Sequence, residues 1–354
     1  MFSGTHPPKG LDRPDPADST GKPRTRASTW AAGLLLGLVL LLVAAALSLA
    51  VGAQRIPLDQ VWSALVSPSG TANDEIVRDL RLPRTLIGAA VGAALGVGGA
   101  VMQTLTRNPL ADPGLLGVNA GASAAVVTAI SLLGITSFTG HLWFALAGAA
   151  LAATAVSALG GGRLATPVRL ALAGTAVNAA LFGYVNGLQL WNLDTLDEMR
   201  YWSVGTLAKR DPALLVTVAP LLAAGALLAL ALARPLGAVA LGEDHARALG
   251  THIRRTRLLS VLAITLLCGG ATAVCGPIGF VGLMIPHAAR AFCGPDPRRL
   301  FPYCALYAPT LLLVSDVVGR VVVPPSEIEA GTVTAFLGGV VFIHLVRQRK
   351  AAHL

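Results

Sequence analysis

Charge is scarce in this chain. Asp, Glu, Lys and Arg make up 13% of its 354 residues, against about a quarter in an ordinary soluble domain. Too few polar side chains remain to cover a water-facing surface, which excludes a soluble globular fold. Aromatics are equally thin at 5%, and the basic residues lie scattered between apolar runs. No aromatic-laced basic patch results, so a nucleic-acid surface is excluded. The four cysteines, Cys268, Cys275, Cys293 and Cys304, form no CxxC pair, and neither zinc nor redox chemistry is indicated. There is no GxxxxGKS/T loop to cradle a phosphate, no HExxH, and no paired carboxylates within an apolar run. A lone His287 beside Pro286 suits a local hydrogen bond better than a haem or iron ligand. The chain reads as no enzyme, with no metal of its own.

What is present is apolar and small. Hydrophobic residues reach 54%, glycines number 39, and the mean hydropathy is +0.67. Small side chains let helix backbones approach closely inside a bilayer. Uncharged runs fall near 30–52, 85–106, 170–191, 213–233, 302–323 and 330–346. Two longer runs divide at turn signals. The run 113–162 breaks at Gly134–Gly140, and 258–289 breaks at Cys275-Gly276-Pro277. That makes ten runs near the length a helix needs to cross lipid. They do not alternate, which excludes a barrel. The expected fold class is therefore all-α, a polytopic membrane protein with about ten transmembrane helices. The membrane domain is expected over 29–350. Residues 1–28, rich in Pro, Asp, Lys and Arg, read as a disordered cytoplasmic tail. The run from Trp30 to Gly52 exceeds a signal-peptide core and reads as a retained helix.

Orientation follows from the net charge of +9. With both termini cytoplasmic, 19 of the 27 Lys and Arg lie inside and 8 outside, while 11 of the 18 acidic residues lie outside. This is the asymmetry of the positive-inside rule.

The informative segments are polar and lie between spans. In Arg81-Leu82-Pro83-Arg84 the arginines stand three apart, on one helix face, where they form a cationic patch for partner carboxylates or an anchor at the headgroups. Arg107-Asn108-Pro109-Leu110-Ala111-Asp112-Pro113-Gly114 stops one span and starts the next, as a cytoplasmic constriction or a tight turn. Leu241-Gly242-Glu243-Asp244-His245-Ala246-Arg247-Ala248-Leu249-Gly250 lies in the largest cytoplasmic loop, about 234–257. It reads as a short surface helix able to seat in a partner's groove, or as a solvated loop. Gly276, Pro277 and Pro286 break the helix at membrane depth, which requires protein or water around the exposed backbone. Asp316 and Arg320, four apart, can pair on one face.

Taken together, RLPRTL, GAVMQTLTRNPLADPGLLGVNAGA, LALAG, LGEDHARALG, GPIGFVGLMIPHAAR and SDVVGR occur in one order. That order resembles the FecCD-type permeases of binding-protein-dependent ABC importers, which carry ferric siderophores, haem and cobalamin. The resemblance spans about residues 30 to 346. It implies a permease dimer, of two copies or of a copy and a paralogue, in a bacterial cell membrane. It implies two cytoplasmic ATP-binding subunits that use ATP and Mg, an extracytoplasmic substrate-binding protein, and no cofactor bound by this chain. Arg81, Arg84 and Arg320 match positions that dock the binding protein. Asn108 and Leu110 match a cytoplasmic gate. Leu241, Gly242, Glu243, Asp244, Ala246, Leu249 and Gly250 match the segment that rests on the ATPase. At a second part of the gate this chain has Pro167-Val168 where some relatives have Thr-Ser. Iron-siderophore transport is the expected role, with haem or cobalamin uptake as the alternative and an ion-coupled transporter a more distant one.

Overall fold

The computed structural model describes residues 24–135, 137–160, 167–208, 212–324 and 326–351, and among them there is no strand. The first helix, α1, is Arg24–Ala50 and is followed by the short α2, Leu58–Val66. Next come α3 (Ala72–Leu105), α4 (Val118–Leu133) and α5 (Phe138–Gly160). Then follow α6 (Pro167–Trp191), α7 (Leu193–Ser203), α8 (Pro212–Ala240) and the six-residue α9 (Glu243–Ala248). The chain closes with α10 (Ile253–Cys275), α11 (Val281–Cys293), α12 (Pro297–Val322) and α13 (Ala330–Ala351). Seven of these are long and apolar enough to cross a membrane, and α4 and the apolar part of α13 are shorter apolar helices. With α11 they make the ten expected spans. The tail expected over 1–28 lies, up to residue 23, outside the described residues. The helix itself starts at Arg24.

Helices α1, α8, α10, α11 and α12 pack against α3, the most enclosed of the seven long ones. Lipid removes the hydrophobic drive between helices, so close packing has to hold them together. Glycine permits it. A Cβ on Gly99 would lie 1.9 Å from the Gly282 carbonyl oxygen of α11, and one on Gly92 would lie 2.4 Å from Pro309 Cα of α12. Gly121 and Gly148 face each other in the same way between α4 and α5. Each such site brings two backbones within van der Waals reach and gains dispersion along the whole helix pair.

Two local departures from the α-helix carry consequences. In α3, Ile76–Arg81 is wound as a π-helix. Pro83 follows it, and the wider turn relieves the clash that a proline ring makes with the carbonyl four residues earlier. Between α10 and α11 the chain leaves the helix over 276–280. At 1.5 Å per residue, α10 is about 34 Å long and α11 about 20 Å. The link between them therefore descends part of the way into the bundle. Its backbone is covered by protein, as membrane depth demands. Thr206 N–H donates to the Cys275 carbonyl at 2.8 Å, and a Cβ on Gly276 would lie 2.0 Å from the Trp202 carbonyl oxygen. Gly276 also has φ +76°, the left-handed region that favours glycine.

Candidate functional site

Three clusters of polar residues interrupt the apolar bundle. The first lies at the end where α3 and α12 meet the link between α1 and α2. Asp316 on α12 is 1% exposed and sits between two arginines. Arg84 Nε donates to Asp316 Oδ2 at 3.0 Å and Oδ1 at 3.1 Å, and Nη2 donates to Oδ1 at 2.8 Å. Arg320, one turn along α12, places Nε 3.2 Å from Asp316 Oδ2 as an ion pair. The pairing expected from the i,i+4 spacing is present. The stronger pairing, across 232 residues to Arg84, is not one that spacing can show.

All three arginines are engaged within the chain. Arg81 is buried, donating to the Leu49 carbonyl at 2.7 Å and to the Gln54 carbonyl. Arg320 donates to the Ser48 carbonyl at 3.0 Å and to Ser48 Oγ at 3.1 Å. Ser48 Oγ is 2.8 Å from Thr85 Oγ1, whose hydroxyl donates to the Arg81 carbonyl. Arg84 is the most open of the three, 13% exposed, and its Nη1 donates to Glu327 Oε2 at 2.8 Å. Glu327 is 33% exposed, in the link before α13. Three guanidinium groups thus face two carboxylates, which leaves one positive charge within this cluster. The spacing of Arg81 and Arg84 marks them as a pair, whereas no motif marks Ser48 or Glu327.

The second cluster is the turn between α3 and α4, at the opposite end of α3. Arg107 closes α3 in the left-handed region at φ +51°, an uncommon position for a side chain larger than Asn. Asn108 Oδ1 then accepts from Leu110 N–H at 3.0 Å around Pro109. Asp112 Oδ1 accepts from Gly114 N–H at 2.7 Å and caps the 3₁₀ turn Pro113–Leu116. Crowding by the surrounding chain pushes the Asp112 carboxyl above its ordinary pKa, and the Gly114 N–H pulls the other way. This turn is fastened to α6. Asn178 Nδ2 donates to the Gly114 carbonyl at 2.9 Å, and Gly174 leaves space for the Leu115 carbonyl. Of the gate residues read from sequence, Asn108 is exposed, Leu110 is half-buried and Val168 is exposed at the start of α6. The Pro167 side chain lies outside the described residues.

The third cluster is α9 at the same end. Gly242 (φ +115°) and Gly250 (φ +74°) bracket it, so the chain turns sharply on both sides. Ala246 is fully buried and faces the bundle, while Leu241 and Leu249 are 67% and 66% exposed. Glu243 holds the helix in place. It pairs with Arg247 at 3.1 Å within α9 and with Arg257 of α10 at 2.5 Å. Asp244 adds a pairing with Arg247 at 2.9 Å. The sequence expectation of a short surface helix over 241–250 matches this geometry. Among the described residues no three His, Cys, Asp or Glu side chains gather as a metal site would need.

Among the described residues, long apolar helices packed on glycine, with charged clusters at two ends of the bundle, define a multi-pass membrane protein. Its relatives specify the class. The model of the FecCD transport family matches residues 40–348, and the chain belongs to that family. It is 50% identical over 320 residues to the ferric enterobactin transport system permease protein FepD of Escherichia coli (strain K12), covering 90% of this chain and 94% of that protein. It is 38% identical to the hemin transport system permease protein HmuU of Yersinia pestis, covering 90% and 96%. A solved inward-facing metal-chelate type ABC transporter superposes with a TM-score of 0.79 at 26% identity, over 90% of this chain and 99% of that one.

Proposed function

We propose that this chain is the permease subunit of an ABC importer that passes a ferric siderophore into the cytoplasm. The observation that carries the substrate class is the 50% identity with the ferric enterobactin permease, sustained over nearly the whole of both chains. Haem is the second reading, favoured by the likeness to the hemin permease. An ion-coupled mechanism needs a carboxylate free to titrate near the path. Asp316 is held by two arginines, which argues against it.

In this reading α9 faces the cytoplasm, as the distribution of Lys and Arg favours. Two ATP-binding subunits, which use ATP and Mg, take up the exposed Leu241 and Leu249. Their movement reaches α10 through the Glu243–Arg257 pair. The Asn108–Leu110 turn, tied to α6, forms the inner gate with Pro167 and Val168. A binding protein docks at the other end, its carboxylates drawn by the surplus charge of Arg81, Arg84 and Arg320. Arg84 makes the first contact, exchanging Glu327 for a partner carboxylate, while Arg81 and Arg320 supply field from behind. A second permease copy is supported by α6. Few residues of that helix are buried, and it exposes Thr175 and Asn186. Polar side chains on a bare helix in lipid call for a neighbouring chain or a water-lined path.

The test is uptake in proteoliposomes containing this chain, its ATP-binding subunit and its binding protein. ATP-dependent accumulation of a ferric siderophore is expected. Accumulation of haem alone would move the substrate to the second reading. Uptake without the ATP-binding subunit would overturn the importer itself.

A further inference from the structure

At the α9 end, the facing halves of α5 and α10 splay apart and leave a cleft of about 1060 Å³. Ala150, Thr154 and Ala158 stand four residues apart on one wall, so they share a face of α5. Leu258, Val261 and Leu262 line the other wall, and both leucines are exposed. From Arg254 at the mouth to Thr265 at the floor, α10 rises about 16 Å. That is about half of the roughly 30 Å hydrocarbon core, the depth of one leaflet.

The mouth has the opposite character. Arg247, Arg254 and Arg257 ring it together with His252, and one carboxylate, Glu243, also lines it. Glu243 is already shared between Arg247 and Arg257. Arg254 makes no ion pair among the described residues. The cleft therefore joins an unneutralised cationic rim to an apolar slot one leaflet deep. Basic pockets between spanning helices at a cytoplasmic face suit acidic lipid headgroups.

We infer that this cleft binds one anionic phospholipid of the adjacent leaflet, its phosphate at Arg254 and Arg257 and an acyl chain between α5 and α10. A soluble anion has no use for the slot, and a zwitterionic lipid gains nothing net from the rim. The site also bears on α9. A phosphate at Arg257 competes with Glu243 for the same guanidinium, so the bound lipid loosens the ion pair that ties α9 to α10. The inference requires only that the chain spans a bilayer and is independent of which chelate is carried.

The test uses the full-length chain in mild detergent, exposed to equal amounts of phosphatidylglycerol and phosphatidylcholine with matched acyl chains. Native mass spectrometry reads the lipid retained. Preferential retention of one phosphatidylglycerol is expected, by about fivefold or more. Arg254→Gln should cut that preference about fivefold, and Arg254→Lys should keep most of it. Thr154→Trp, which fills the slot from an exposed position, should lower retention of both lipids. Equal retention of the two lipids would overturn the site, as would retention unchanged by either Arg254→Gln or Thr154→Trp. Displacement of the lipid by excess inorganic phosphate would instead assign the rim to a free anion and equally refute the proposal. Unshifted thermal midpoints would show that the variants fold.

Discussion

Replacing Asp316 by Ala removes the shared acceptor of Arg84 and Arg320 while leaving the helix propensity of α12 intact. Breaking a buried ion pair by deleting one partner costs about 3–5 kcal/mol, because the other charge is left without compensation. Here the loss belongs at the lower end, about 3 kcal/mol. Arg84 keeps Glu327 at 2.8 Å, and Arg320 keeps Ser48 at 3.0 and 3.1 Å. The same replacement made after Arg84→Met should cost less, since one of the stranded cations is gone. A double-mutant cycle on these residues should give a coupling of about 1.5 kcal/mol, within the range for residues sharing one network. The measurement is reversible unfolding of the purified protein in mixed micelles, titrated with denaturing detergent. Additivity within about 0.3 kcal/mol, as for distant sites, would refute the claim that Asp316 bridges α3 and α12. So would a loss in the single variant no larger than that of an exposed carboxylate.

Neighbouring glycines in α13 should respond in opposite directions. A Cβ on Gly338 would meet Phe280 Cβ at 2.3 Å, whereas one on Gly339 meets nothing within 4 Å. Gly338→Ala should therefore lower the unfolding free energy and Gly339→Ala should raise it by up to about 1 kcal/mol of helix propensity. Leu241→Asp with Leu249→Asp should reduce co-purification of the ATP-binding subunit at least tenfold without altering the chain's own thermal stability. Retained co-purification would remove α9 from the contact. Arg84→Glu should weaken binding-protein affinity in vesicles more than Arg81→Gln does, because Arg84 is the more open. An equal effect would place the contact elsewhere. Asp112 carries a raised pKa, so the stability it contributes is full below the ordinary carboxylate value of about 3.9 and fades as pH rises through its raised pKa. Asp112→Asn, which can still accept from Gly114, should match or exceed the parent's stability at neutral pH. The two should converge in acid, as thermal unfolding across pH will show.

Most of the architecture was legible because lipid imposes a simple rule, that an uncharged run of sufficient length becomes a helix. The breaks at Gly134 and Gly276 were legible for a related reason, since both glycines adopt positive φ. Where charge precedes an apolar run, the helix starts earlier than the run alone predicts. The span read from 85 begins at Ala72, and the one read from 302 begins at Pro297. Charged residues in those turns leave the apolar run but not the helix. The short α2 and α7 lie in segments too brief for a hydropathy pattern to separate from loop. At the arginine end, local spacing revealed the Asp316–Arg320 pair but not Arg84 with Asp316, because no periodicity links residues on different helices. Nor could spacing show that Arg81 spends its donors on the carbonyls of Leu49 and Gln54 rather than on a surface.

The enclosure of α3 has a bearing on how the chain is made. Its backbone touches α11 at Gly282 and α12 at Pro309, and both are synthesised only after about half the chain has followed it. Until then the glycine-lined grooves that receive α11 and α12 lack the backbones that fill them. The keystone is laid early and locked late. A ribosome that stalls before α12 therefore leaves behind a fragment whose middle is open, a ready substrate for the proteases that patrol the bilayer.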